Sequence, residues 1–222
     1  MKLLAIDTST ERASVAIEVD GIIYSEEQEG MRQHAKLLLP MIEKLLALAK
    51  LSCSQLDAIV FGCGPGSFTG LRVACSIAKG LAYAHDLPVY PVSSLAAIAY
   101  ETYQTPVSGA QVLAMIDARM HQVYWGYFTG ESYEVAEQVA SAHDIILPSS
   151  TPIILAGTGL ETYRAQLPKA VQSQIIKESA IFPDAKAMIQ LVKYGKIRAV
   201  SAVDALPMYV RNQVTQGEEP RG

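Results

Sequence analysis

Charge and chemistry-bearing groups are scarce in this chain. Of its 222 residues only 18% are charged, and four are histidines: His34, His85, His121 and His143. The histidines are widely separated, and none stands four residues from another histidine or from a cysteine, so no zinc- or iron-type cluster is written into the chain. Cys53, Cys63 and Cys75 are an odd number without zinc-site spacing, which argues against a disulfide framework and fits a reducing, cytoplasmic setting. No segment reaches the roughly 18 uninterrupted apolar residues of a membrane span. The apolar run before Asp7 has the length of a first strand, too short for a secretory leader. A basic surplus is also missing: 18 Lys and Arg face 22 Asp and Glu, for a net charge of −4. Such a balance excludes an autonomous electrostatic grip on nucleic acid, so any RNA must be held mostly by another subunit.

Apolar surface is what the chain has in plenty. Half of its residues are hydrophobic and mean hydropathy is +0.19, more than a soluble fold of this size needs for its own core. Some of that surplus is expected to cover a partner.

Periodicity organises the chain into two similar halves. Residues 2–6 form a buried-strand pattern, ASVAIEVD a second strand and, after the hairpin signal Asp20-Gly21, IIYSEE a third. A helix follows from about Gln33 to Lys50, with Pro40 expected to bend it. LDAIVFG is a buried strand, Gly70 to His85 a helix, LPVYPVSS a short strand and SLAAIAYETY another helix. VLAMIDARMHQVYWGYF then repeats the layout of LLAIDTSTERASVAI, so Asp7 and Asp117 occupy matching strand ends. The expected fold is α/β, with a mixed sheet and helices in each half: residues 1–104 and 105–222. The C-terminal part reads as irregular, and the tail from about residue 217 as disordered. Paired halves of this kind commonly hold ligands in the cleft between them.

The stretch FGCGPGSFTGLRVACS raises the question of a phosphate cradle. It lacks the lysine and spacing of a Walker loop, the third glycine of a dinucleotide fingerprint, and the residue between glycine and serine that a nucleophile elbow requires. It therefore reads as a tight strand-to-helix turn. Behind it Gly70, Ala74, Ala78 and Ala82 recur at steps of four, a small-residue stripe that would let another helix approach closely, beside the ridge of Val73, Ile77 and Leu81. On the first helix, leucines, Met41 and Ile42 cover an arc of roughly 200°, twice the stripe of an ordinary surface helix. That width suggests a helix shared between its own sheet and a partner. Asp7 and Asp117 could hold hydrated magnesium opposite a nucleotide, with Thr8, Ser9 and Thr10 offering phosphate donors, or they could simply cap turns.

IDTST, QHAKLLLPMI, GPGSFTGLRV, PVSSLAA and IDARMHQVY together resemble the TsaB (YeaZ) family over nearly the whole chain. The resemblance implies the actin, sugar-kinase and Hsp70 superfamily (ASKHA) fold, with two duplicated domains. It also implies a non-catalytic scaffold or activating subunit for N6-threonylcarbamoyladenosine formation in tRNAs reading codons that begin with A. The implied partners are TsaD and TsaE, with tRNA reached only through the complex and self-pairing as a further possibility. The catalytic relative TsaD carries His-Met-Glu-Gly-His where this chain has Ser94 to Ile98, so the metal-binding histidines are replaced. The resemblance places the TsaD contact on the two N-terminal helices, in a four-helix bundle. The candidate contact residues are His34, Leu38, Met41, Ile42, Leu45, Gly70, Val73, Ala74, Ile77, Ala78 and Leu81. No cofactor is firmly implied; ATP or ADP with magnesium at the partner contact stays open. The rival reading is an ATP-using or peptidase-like enzyme of this fold acting alone.

Overall fold

A computed structural model describes residues 1–30, 33–105, 107–130, 132–195 and 197–210. The first half runs β1 (Leu3–Asp7), β2 (Arg12–Val19), β3 (Ile22–Glu29), α1 (His34–Ala49), β4 (Ala58–Gly64), α2 (Phe68–His85), β5 (Val89–Ser93) and α3 (Ser94–Tyr103). The second runs β6 (Gln111–Asp117), β7 (Val123–Phe128), β8 (Gln138–Ala140), β9 (Ile153–Gly157), α4 (Leu160–Tyr163), α5 (Lys169–Gln172), β10 (Ile175–Ala180) and α6 (Ala185–Lys193).

Each half builds one five-stranded mixed sheet. The orders are β3-β2-β1-β4-β5 and β8-β7-β6-β9-β10, the same pattern twice. In both, the first strand pairs antiparallel with the second and parallel with the fourth, through Asp7↔Ser14 and Ile6↔Phe61 in one sheet and Asp117↔Val123 and Leu113↔Leu155 in the other. This is the duplicated mixed-sheet arrangement expected from the repeat. It leaves Asp7 and Asp117 at equivalent strand ends.

Alternation along the strands sorts the core into layers. On β1, Leu4 and Ile6 pack with α1 and α2 on the outer face of the first sheet, while Leu3 and Ala5 face inward. On β6, Val112, Ala114 and Ile116 join that inner layer, while Leu113 and Met115 face the outside of the second sheet. The inner layer contains α3 and α6, and the halves exchange them: α3 packs on β6, β7 and β9, whereas α6 packs on β1, β2 and β4. The amide of Ala185 donates to Ser14 Oγ at 3.0 Å, and Lys193 pairs with Glu18 at 2.6 Å, tying α6 to the first sheet.

One local outcome differs from the sequence reading. The segment read as irregular contains β10 and α6, and α6 carries Ala185, Met188, Ile189 and Val192 at helical spacing, with Asp184 capping it by accepting from Lys186 N at 2.7 Å. Helix α1 passes unbroken through Pro40; the missing N–H leaves the Lys36 carbonyl, on an exposed residue, to solvent. The tail from residue 217 lies outside the described residues.

Candidate functional site

The glycine turn is a clamp on the end of β1. The Ser67 amide donates to the Ser9 carbonyl at 2.7 Å, and Thr8 Oγ1 donates to the Gly70 carbonyl at 2.8 Å. A β-carbon at Gly66 or Gly70 would overlap the carbonyl oxygen of Ser9 or Thr8, and one at Gly62 would overlap the Asp7 carboxylate. Gly70 is therefore small for its own chain, where the start of α2 meets the turn after β1. Ser67 caps α2 by accepting from Gly70 N at 3.3 Å.

That clamp encloses the first candidate nucleotide turn. Asp7, Thr8, Ser9 and Thr10 are all buried. Asp7 Oδ1 accepts from Ser9 N at 3.1 Å and Ser9 Oγ at 2.9 Å, while Oδ2 has no partner. Burial pushes the Asp7 carboxyl up to about 7, against the two hydrogen bonds from Ser9. The donors expected to grip phosphate at Thr8 and Ser9 are thus committed within the chain.

Asp117 sits differently. It accepts from Arg119 N at 2.8 Å and Tyr163 OH at 2.9 Å, and pairs with the Arg119 guanidinium at 3.1 Å. Arg119, Met120 and His121 all hold left-handed backbone, an unusual run for residues with side chains. A cleft of about 680 Å³ between the halves brings Asp117 and Arg119 together with Ser9, Thr10, Ser67 and Thr158. Asp7 and Thr8 do not line it.

The outer face of α1 and α2 divides the candidate contact residues. His34, Leu38, Met41, Ile42 and Leu45 are buried against their own sheet, and burial lowers the His34 imidazole. Gly70, Ala74 and Ala78 are buried as well. The small-residue stripe packs with Ile59 and Phe61 of β4, so the helix it admits so closely is α2 itself, approaching its own sheet. Val73, Ile77 and Leu81 stay half-buried. Outward-facing apolar side chains come from residues the candidate list omits: Leu39 is 52% exposed, Leu48 55% and Tyr83 77%. The signal for Leu39 and Leu48 was the 200° apolar arc of α1, which is too wide for one sheet to cover. α1 links β3 to β4 and α2 links β4 to β5, strands that all point the same way, so both helices return in one direction and Leu48 and Tyr83 lie towards the same end.

Ser94 and Ile98, which the resemblance sets at the histidine positions of TsaD, are fully buried in α3, and Ser94 Oγ has no partner among the described residues. They belong to the layer between the sheets.

Comparison with known proteins agrees with this architecture. The family described as TsaD, tRNA N6-adenosine threonylcarbamoyltransferase, matches residues 20–205. The protein named tRNA threonylcarbamoyladenosine biosynthesis protein TsaB from Haemophilus influenzae is 36% identical, over 99% of this chain and 98% of its own length. Its namesake from Escherichia coli is 33% identical over 99% of both. The crystal structure titled YeaZ from Pseudomonas aeruginosa superposes with a TM-score of 0.84 at 37% identity, covering 94% of this chain and 99% of that one. With full-length identity above 30%, the same duplicated sheets and the glycine turn in place, this chain belongs to the TsaB (YeaZ) family.

Proposed function

We propose that this chain takes part in making N6-threonylcarbamoyladenosine in tRNA as a non-catalytic subunit, docking on a TsaD-type partner through the outer face of α1 and α2. The observation that carries the reading is Leu39, Leu48 and Tyr83 standing out from two parallel helices beside the half-buried ridge of Val73, Ile77 and Leu81. Covering about 300 Å² of such surface contributes about 7 kcal/mol before association entropy is subtracted. The names of the full-length relatives supply the pathway.

Three features support a non-catalytic role. In the first turn the Thr8 hydroxyl is engaged with Gly70, and the Ser9 amide and hydroxyl with Asp7. Ser94 and Ile98 are core residues without imidazoles. Burial raises the thiols of all three cysteines, Cys63 to about 12, so none is a ready nucleophile. In this reading TsaD supplies metal and substrate chemistry, TsaE joins the pair, tRNAs reading codons that begin with A are contacted through the complex, and a second copy uses the same face when TsaD is absent.

Reconstitution with TsaD, TsaE and the enzyme that makes threonylcarbamoyl-adenylate tests the proposal. Modification is expected to be lost when this chain is omitted, with no activity from this chain alone. Full modification in its absence would overturn it.

A further inference from the structure

A second cavity, of about 720 Å³, opens beside the ends of β4 and β5, separated from the first cleft by Met208, which lines both. Met208 is held there by donating its amide to the Cys63 carbonyl at 2.7 Å. The walls are apolar and aromatic, from Tyr133, Val135, Leu191, Tyr194 and Ile197. Tyr133 is fixed in a ring cluster, 5.7 Å from Tyr100 and 5.9 Å, edge-on, from Tyr194.

Two acids interrupt this lining, exposed Glu134 and half-buried Glu137. Glu137 Oε1 accepts a short hydrogen bond from Ser93 Oγ, and that hydroxyl accepts in turn from Ala96 N at 3.0 Å at the start of α3. Ser93 is therefore fully engaged and positions the carboxyl. Glu137 Oε2 is buried and has no partner among the described residues. Glu137 lines the cavity, so this unmet acceptor belongs to its wall. The other titratable groups lining the cavity are Cys63 from β4, Tyr133 and exposed Glu134 on its own segment, and Tyr194 and exposed Arg198 after α6. Cys63 is neutral, and Arg198 is out in water where salt screens it. A buried carboxylate with an unmet acceptor and aromatic neighbours is a chemical complement to an organic ammonium, which gains both a charge-assisted hydrogen bond and contact with ring faces.

We propose that this cavity is a binding site for a small organic ammonium ion with an apolar body, its N–H groups donating to Glu137 and its body lying against Tyr133, Val135 and Leu191. The site is separate from the outer face of α1 and α2 proposed for partner docking.

Phenethylammonium is a suitable probe, with 2-phenylethanol as its neutral counterpart, titrated against the full chain by NMR. Near pH 8, saturable binding of the ammonium is expected at least about tenfold tighter than that of the alcohol. Glu137→Gln should abolish the difference while leaving the fold and the weak alcohol binding intact. Burial also pushes the Glu137 carboxyl up to about 7, so the ammonium should bind more weakly near pH 6, where the carboxyl takes up its proton. A second readout needs no variant: the carboxyl carbon of Glu137 in the wild-type chain should titrate at lower pH when saturated with phenethylammonium. Equal binding of ammonium and alcohol, absence of saturable binding, an unchanged Glu137→Gln variant, or an unmoved Glu137 titration would each overturn the proposal.

Discussion

Asp7 shows how far a strand end can be turned from surface chemistry into core. Its carboxyl is enclosed by the close approach of Gly62 and satisfied on one oxygen by Ser9. Because its folded value lies near 7 and its ordinary value is 3.8, the folded state binds the proton more tightly than the unfolded chain. Stability from this group is therefore greatest below its ordinary value, falls as pH rises through the window between the two, and levels off above about 7. Asp7→Asn removes that slope. Comparing urea midpoints near pH 5 and pH 8, the wild-type chain should lose on the order of 2 kcal/mol relative to the variant; parallel pH profiles would contradict the assignment. At Gly70 the constraint is steric, since a β-carbon overlaps the Thr8 carbonyl and both groups are backbone. Gly70→Ala should cost about 3 kcal/mol in thermal or urea unfolding, and a neutral result would show that α2 can start farther from the turn. The glycine pattern was legible as a tight turn. Which carbonyl each glycine accommodates was not, because Thr8 and Gly70 are 62 positions apart.

Among the elements, α1 and α2 show both the power and the limit of periodicity. The 3.6-residue pattern located both helices and showed that α1 has more apolar surface than one sheet needs. It could not say which part of that arc the sheet takes. Leu38, Met41, Ile42 and Leu45 fill the core and leave Leu39 and Leu48 outside, a choice fixed by the rotation of the helix on β2 and β3. Leu45→Ala should therefore cost about 2–5 kcal/mol of stability, whereas Leu48→Ala should stay within about 0.5 kcal/mol and act on the partner instead. The small-residue stripe follows the same logic. Ala78 is fully buried with Ile59 and Phe61, so Ala78→Leu should overpack that contact by about 1–3 kcal/mol; a fully stable variant would mean the stripe faces outward. The signal for α6 was present in AKAMIQLVK, but it stands in the second half, far along the chain from β1, β2 and β4, which it covers. Periodicity carries no record of such an exchange.

For the whole molecule, the duplication was the most legible feature: one repeated strand-aspartate-turn pattern foretold two sheets of identical order. The exchange of α3 and α6 makes the two halves one folding unit, with the inner core shared between them. It also leaves the outer faces of the sheets unequal. The second sheet carries short α4 and α5, whereas the first carries two long parallel helices with large apolar side chains in water. That asymmetry is the physical basis for assigning the partner to α1 and α2. The most direct measurement is the affinity of this chain for TsaD, compared with that of the double variant Leu48→Asp/Tyr83→Asp, by calorimetry on folded samples. Both side chains are exposed, so the variant should keep its unfolding midpoint while its affinity for TsaD falls by at least about a hundredfold. An unchanged affinity in a folded double variant would contradict docking through this face.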